Sequence, residues 1–223
     1  MRLTAGTVIP ARQLTTTSGA AAAVPDPGAL VHLQFRRFAG CPVCNLHLRS
    51  FVARHGEITA AGVREVVVFH APAEELRPHV AGLPFPVVAD PGKRLYAEFG
   101  VESARRALLD PRVWLPIIRA VALSLWGVLR HRRPVPSLNP HGGRFGLPAD
   151  FLIAGDGRVV AVKYGEHAYD QWPVDELLAM AARERPASDH APQAARPQAA
   201  AFSAADGHAN RGYSRAATPH TSR

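Results

Sequence analysis

Two cysteines, Cys41 and Cys44, are the only ones in this chain of 223 residues, and two residues separate them. Such a pair can cycle between dithiol and disulfide, supply two ligands to a metal, or lie buried as two small apolar side chains. A redox role requires an ionised sulfur near neutral pH, because the thiolate rather than the thiol is the nucleophile. The neighbouring residues therefore decide which chemistry the pair can perform.

The residues around the pair predict a strand, a tight turn and a helix. Residues 30–35 have strand composition, Gly40 breaks the strand, and Pro42 suits the first helical turn, where a missing N–H costs nothing. We expect Cys41 at or next to the N-cap and accessible, where unpaired N–H groups and the helix dipole favour a thiolate. Cys44 lies most of a turn further in, less exposed but within bonding reach. This asymmetry suits an attacking and a resolving sulfur.

Arg36 and Arg37 lie just upstream and add positive potential if they point toward the pair. A CxxC between a strand and a helix, inside repeated βα units, favours the redox role over two buried thiols. A structural zinc usually takes four ligands from two paired motifs, and the sequence has neither a second CxxC nor an HxxxH. We interpret His47 as lying on the solvated face of its helix and His70 as an ordinary polar residue ending its strand. No metal or other cofactor is expected.

The rest of the chain alternates strand and helix patterns, which predicts an α/β fold with a mostly parallel sheet and helices on its faces. Strands are expected in residues 63–72 and 85–91, helices in residues 73–83, 92–101 and 173–183, a late hairpin in residues 149–165 and an N-terminal hairpin in residues 8–17 with a turn at Ser18-Gly19. The late hairpin has an Asp156-Gly157 turn and predicts an antiparallel edge.

The net charge of +8 is concentrated in residues 103–146, which contain eight arginines and one acidic residue. Nucleic-acid binding by the whole domain is therefore not implied. Within this basic segment, residues 110–134 predict a helical insertion whose apolar stretch, residues 117–129, is shorter than the ~20 residues needed to cross a bilayer. It can pack over the sheet or the active-site mouth, form a homodimer interface, or contact an anionic membrane peripherally through residues 113–133.

The composition places one domain in residues 1–185. Residues 186–223 are rich in Ala, Pro, Arg, Ser and His. They bury too little apolar surface to offset the entropy of ordering, so we expect a disordered tail. No apolar signal-peptide core follows Arg2, and a cytoplasmic location is the default expectation.

Three stretches, "LVHLQF", "CPVC" and "FGLPADFLIAGDGRVV", resemble the thioredoxin fold and, more narrowly, the peroxiredoxin-like branch of AhpC/TSA-type antioxidant proteins. The resemblance extends over residues 5–183. It implies a thioredoxin-like three-layer fold: a central mixed sheet with helices on both faces, an N-terminal hairpin and a helical insertion.

The resemblance also implies roles for three further residues. Pro148 occupies the place of a proline that commonly follows a cis peptide bond beside the cysteines; the plain alternative is that it only starts an edge strand. Typical peroxiredoxins have Thr or Ser three residues before the attacking cysteine, where this chain has Phe38. They also place an arginine near the thiolate from the late strand region, where Arg144 lies. The peroxide site is therefore expected to be incomplete or rebuilt.

The function implied is that of a thiol-dependent oxidoreductase that reduces a peroxide or a disulfide through Cys41 and Cys44. Cys41 attacks the substrate, Cys44 closes an intramolecular disulfide, and an external dithiol reduces it. The alternative is a non-catalytic thioredoxin-like module, membrane-peripheral through the insertion. The two differ in whether the Cys41 thiol ionises well below the ordinary pKa of free cysteine.

Overall fold

The computed structural model describes residues 1–38, 40–101, 143 and 145–184, together with residues 118–119, 121–122, 126, 129 and 130. These residues belong to a compact unit, Met1–Pro186; a second unit, Ala187–Arg223, lies outside the described residues. The predictions of a disordered tail and of dimer or membrane contact through residues 113–133 also lie outside them, apart from the few insertion residues named.

Five strands form the main sheet of the described residues, in the order β5-β4-β3-β6-β7. Strands β3, β4 and β5 are parallel, whereas β6 pairs antiparallel with β3 and β7 pairs antiparallel with β6. The predicted mixed sheet with its late hairpin is confirmed. The strands are β3 Leu30–Arg36, β4 Val63–Phe69, β5 Val87–Ala89, β6 Ala149–Ile153 and β7 Val159–Tyr164.

A separate hairpin, β1 Arg12–Thr15 with β2 Ala21–Val24, lies ahead of the sheet and confirms the predicted N-terminal hairpin. The described helices are α1 Pro42–Ala53, α2 His55–Ala60, α3 Ala73–Val80, α4 Arg94–Glu98 and α5 Val174–Glu184. No helix in these parts of the chain combines the length and the apolar character needed to cross a membrane.

Apolar side chains bury both faces of the sheet and so produce three layers. One cluster packs α1, α2, α3 and α5 against the sheet, with members such as Phe51, Leu76 and Leu177. The other packs the N-terminal hairpin and α4 against the opposite face, with Val24 and Phe99 among its members. Since burial of apolar area is the main stabilising contribution to a fold of this size, the sheet is fixed from both sides.

Strand β3 differs in character on its two faces. Val31, Leu33 and Phe35 belong to the apolar cluster on the hairpin side. Side chains alternate along a strand, so the residues between them face the helical layer. These are His32, Gln34 and Arg36, and all three are buried. The strand that leads to the cysteines thus carries buried polar groups beneath α1.

Candidate active site

Cys41 is the N-cap of α1, and Pro42 is the first helical residue. Its Sγ accepts a hydrogen bond from the backbone N–H of Cys44 at 3.5 Å, as a capping side chain does. The helix therefore begins where the sequence predicted. The backbone N–H groups of Val43 and Cys44 in the first turn face the sulfur, and they favour its ionised form.

Arg37 and Arg36 point in different directions, although they are adjacent in the chain. Arg37 Nη1 lies 3.7 Å from Cys41 Sγ and donates a hydrogen bond to it. Arg36 instead donates a hydrogen bond of 2.8 Å to the carboxylate of Asp150 on β6, on the side of the sheet that faces the helices. The positive charge that contacts the sulfur is therefore that of Arg37.

The two cysteines differ in how readily they ionise. Burial raises the pKa of Cys41, but the hydrogen bond from the Cys44 thiol, the charge of Arg37 and backbone N–H groups outweigh it and lower that pKa to about 6. Burial raises the pKa of Cys44 well above its ordinary value, and the neighbouring Cys41 raises it further. At neutral pH the arrangement holds Cys41 as a thiolate that accepts from the Cys44 thiol.

Both sulfurs are buried: Cys41 is 1% exposed and Cys44 0%. The prediction that Cys41 is accessible is therefore wrong. The physical reason is a cover of side chains: Phe38 and Val43 form one buried cluster with both cysteines, and the His79 ring from α3 lies against Gly40. A substrate reaches Cys41 only when this cover moves.

Gly40→Ala is expected to destabilise the fold, because Gly40 has φ +71° and an added Cβ would lie 2.6 Å from His79 Cε1. The left-handed conformation alone costs about 1–2 kcal/mol in a residue with a Cβ. Gly19→Ala is the matched control, since Gly19 has φ +86° and open space around it. Urea unfolding should show the larger loss for Gly40→Ala and partial recovery when His79→Ala is added. Equal losses at both glycines would contradict the close packing of His79.

The three remaining sequence-predicted positions have separate outcomes. Phe38 is buried beside the cysteines, with the Arg37 guanidinium 5.3 Å from the centre of its ring. Among the described residues Val24-Pro25 is the cis peptide bond, so the cis bond expected at Pro148 is wrong. Pro148 keeps the trans bond that X–Pro pairs prefer by about 0.5–1 kcal/mol, and its carbonyl accepts from the N–H of Gly165. Arg144 lies outside the described residues.

A network of buried charges lies beneath α1, and sequence analysis missed it. His32 Nδ1 is 2.9 Å from Glu65 Oε2, and His32 Nε2 is 3.2 Å from Asp150 Oδ1. Gln34 donates to Glu65, and Arg36 donates to both Gln34 and Asp150. The alternation of His, Gln and Arg along β3 was a visible signal. Its partners come from β4 and β6, whose register the sequence does not display.

The network shifts the pKa values of its members. Burial alone lowers the pKa of His32, but its interactions with Glu65 and Asp150 outweigh burial and raise that pKa to about 9. Burial raises the pKa of Asp150, but the charges of Arg36 and His32 have the larger effect. The pKa of Asp150 is therefore lowered. The His32 contribution to stability is fully present below pH 6.5 and is lost as the pH rises through about 9.

The two histidines considered as metal ligands are both buried. His47 is 7% exposed, so its predicted place on a solvated helix face is wrong; its ring packs against Phe51, with centroids 4.8 Å apart. His70 follows β4 directly, as expected for a residue that ends its strand, and lies edge-on to Tyr96 at 5.5 Å. In the described parts of the chain, no three or more His, Cys, Asp or Glu side chains are grouped to bind a metal.

Arg37→Gln is expected to raise the pKa of Cys41 by about one unit and, through the smaller thiolate fraction, to slow its attack on a disulfide about fivefold at pH 6. A charge pair near 4 Å is worth about 4 kcal/mol at an effective dielectric of 20, so losing it matters. The measurement is the rate of the first reaction with an aromatic disulfide as a function of pH. Arg37→Lys keeps the positive charge, so its pH profile should lie between those of wild type and Arg37→Gln. An unchanged profile in Arg37→Gln would show that Arg37 does not support the thiolate.

Solved structures show the same fold. Peroxidoxin BcpB from Mycobacterium tuberculosis matches with a TM-score of 0.59 and 16% identity, over 83% of this chain and 100% of that one. Peroxiredoxin Q from Xanthomonas campestris matches with a TM-score of 0.52 and 16% identity, over 78% of this chain and 90% of that one. A putative thiol:disulfide interchange protein DsbE from Chlorobium tepidum matches with a TM-score of 0.50 and 19% identity, over 80% of this chain and 99% of that one. The expected thioredoxin-like α/β architecture is thereby confirmed.

The sequence comparison identifies the family. No curated protein matches the chain. A family model described as AhpC/TSA antioxidant enzyme matches residues 50–167, more than half of the chain. The match begins after Cys44, so the role of the cysteine pair rests on its geometry. With this match and the peroxiredoxin-like fold, the chain belongs to the AhpC/TSA antioxidant enzyme family.

Proposed function

We propose that the protein is a thiol-dependent oxidoreductase that reduces a peroxide or a disulfide through Cys41 and Cys44. One observation carries the proposal: Cys41 Sγ caps α1, accepts from the Cys44 N–H at 3.5 Å and lies 3.7 Å from Arg37 Nη1. These contacts lower the pKa of Cys41 to about 6. A buried sulfur with such donors is prepared to act as a nucleophile at neutral pH.

With a disulfide substrate, the Cys41 thiolate attacks one substrate sulfur, the S–S bond breaks, and the other sulfur leaves as a thiolate. With a peroxide, the thiolate attacks one oxygen, the O–O bond breaks, and Cys41 becomes a sulfenic acid while water or an alcohol leaves. Cys44 then attacks Cys41 Sγ and displaces a thiolate or water. An external dithiol reduces the Cys41–Cys44 disulfide and is itself oxidised to a disulfide.

Phe38 favours the disulfide substrate over the peroxide. It occupies the place where the resemblance expects a hydroxyl that positions a peroxide oxygen, and a phenyl ring donates no hydrogen bond. The donors to Cys41 are instead Arg37 and the backbone of Cys44, and both support the thiolate. A thiolate next to a second thiol is what thiol–disulfide exchange requires.

The test mixes reduced protein separately with hydrogen peroxide, an alkyl hydroperoxide and an oxidised dithiol, and stops each reaction with a thiol-blocking reagent. Mass spectrometry then follows formation of the Cys41–Cys44 disulfide. We expect the disulfide to form far faster than with a free cysteine derivative, and fastest with the oxidised dithiol. If no oxidant forms it faster than it oxidises the free thiol, the proposal fails.

The burial of both cysteines favours a second candidate, a non-catalytic thioredoxin-like module in which the pair only senses or stabilises. The same experiment separates the enzyme from a purely structural pair, because a structural pair reacts no faster than a free thiol. A dithiol reductant as partner, no nucleic-acid partner and a cytoplasmic location remain predictions from the sequence. So does membrane or dimer contact through residues 113–133.

A further inference from the structure

His47 lies one helical turn after Cys44, on the buried face of α1. Helix positions three apart have Cβ atoms about 5–6 Å from each other. His47 is 7% exposed, and its Nε2 makes no hydrogen bond with any described residue. A buried ring nitrogen without a partner is costly in a folded protein and therefore calls for an explanation.

Cys44 needs a proton acceptor at one particular step of the reaction. In the dithiol its thiol donates to the Cys41 thiolate. Once Cys41 has formed a mixed disulfide or a sulfenic acid, that thiolate is consumed. Cys44 must nevertheless lose its proton to attack, and in the dithiol form it is 0% exposed. A proton acceptor inside the protein can therefore serve this step.

The buried carboxylates are poorly suited to this task. Asp150 is bound by Arg36 and His32, and Glu65 is bound by His32 and Gln34. Taking a proton there would break ion pairs that hold the core together. His47 Nε2 makes no hydrogen bond with a described residue. In the tautomer that carries its proton on Nδ1, Nε2 is an open acceptor.

His47 also has a route to solvent. It lines a cavity of about 360 Å³ together with other residues of α1, among them Arg54, with Arg119, and with the segment before α5 and the start of α5. Ser50 and Asp175 line the same cavity and are exposed, so the cavity is open to water. His47 therefore belongs to the same buried part of α1 as Cys44 and also borders a cavity that is open to water.

We propose that His47 accepts the proton of Cys44 as the Cys41–Cys44 disulfide closes and passes it to water in this cavity. The proposal rests on the proposed function, in which Cys44 is the resolving thiol. The Cys44 S–H bond breaks and His47 Nε2 gains the proton, while the electron pair left on the Cys44 sulfur attacks Cys41 Sγ. The substrate thiolate leaves with the electrons of the broken S–S bond, and His47 returns its proton to water.

Burial and the nearby charges keep the His47 ring neutral at rest. Burial lowers its pKa well below the ordinary value, and Arg36 and His32 on β3 and Lys163 on β7 lower it further, whereas Asp150 on β6 opposes them. Neutral His47 is therefore the resting form, able to accept a proton. The same cations drive the proton onward once it has been accepted.

The experiment uses the chromogenic aromatic disulfide dithiobis(nitrobenzoate) with reduced full-length protein. Attack by Cys41 releases the first coloured thiolate, and attack by Cys44 on the mixed disulfide releases the second. At pH 7, His47→Gln should slow the second release at least about tenfold, while the first changes less than about threefold. The deficit should shrink as the pH rises, because hydroxide replaces the missing base.

The matched control is His55→Gln, since His55 is also partly buried with an unpartnered ring nitrogen, but lies on α2. It should leave both releases unchanged. His47→Ala should recover the second release when imidazole is added, because imidazole can occupy the adjoining cavity. A merely structural histidine gives no such rescue.

The outcomes separate the two proposals. A wild-type protein that gives no first release overturns the proposed function itself. A normal first release with an equally fast second release in His47→Gln overturns the role of His47 alone. A slowed second release that imidazole does not restore in His47→Ala, with the fold intact by circular dichroism, also overturns it.

Discussion

Cys44→Ser is expected to stop the reaction after one oxidation of Cys41, and Cys41→Ser is expected to abolish it. The difference follows from their unequal ionisation. Cys41 has a pKa lowered to about 6, whereas burial and its neighbour raise the pKa of Cys44 well above the ordinary value. Cys44 alone therefore offers almost no thiolate at neutral pH. Cys41→Ser should lower the rate of reaction with a disulfide by about a hundredfold or more.

Intact-protein mass measures both results after reaction with an oxidised small thiol. Wild type should lose two hydrogens and retain no adduct. Cys44→Ser should retain one substrate thiol on Cys41, and Cys41→Ser should remain unmodified over the same time. A stable adduct on Cys44 in Cys41→Ser, formed at the wild-type rate, would contradict the assignment of Cys41 as the attacking sulfur.

Asp150→Asn is expected to lower the free energy of unfolding by about 3–5 kcal/mol, the usual cost of removing one partner from a buried ion pair. Asp150 accepts from Arg36 at 2.8 Å and lies 3.2 Å from His32, and all three side chains are fully buried. The substitution leaves two cations in the core facing Glu65 alone. It also replaces a carboxylate oxygen that accepts from the Trp172 N–H.

Urea unfolding at pH 7 measures this loss, with Asp156→Asn as the matched control. Asp156 lies in the exposed turn of the same hairpin, where Asn also supports the turn, so a change within about 0.5 kcal/mol is expected. Because the pKa of Asp150 is lowered, its contribution is present above pH 3.8 and is lost as the pH falls. The variant should therefore approach wild type in acid. Equal urea midpoints at pH 7 would show that the network does not stabilise the fold.

The start of α1 was predictable from sequence because it is a local matter. Gly40 allows a left-handed turn, Pro42 has the fixed φ of a first helical residue, and together they place Cys41 at the N-cap. The strand and hairpin patterns were likewise readable, since alternation and turn residues act over a few positions. The direction of Arg37 was not, because it depends on how β3 ends above the packed sheet.

Burial of the site was not predicted, because it depends on how the neighbours Phe38 and Val43 pack and on a residue distant in sequence. His79 comes from α3 and covers Gly40, and nothing around the CxxC announces that contact. The buried side of α1 was misjudged at His47 for a related reason: the sheet beneath it is polar. Because polar groups lie beneath α1, a histidine is compatible with this interior as well as with solvent.

The most direct test of the account is the ionisation of Cys41 itself. Reduced wild-type protein is treated with limiting iodoacetamide across pH 4 to about 10, and mass mapping reports the alkylation rate of Cys41 separately from that of Cys44. The account predicts a midpoint for Cys41 near 6, with Cys44 unreactive throughout the neutral range. A Cys41 midpoint at or above the ~8.5 of free cysteine would contradict it.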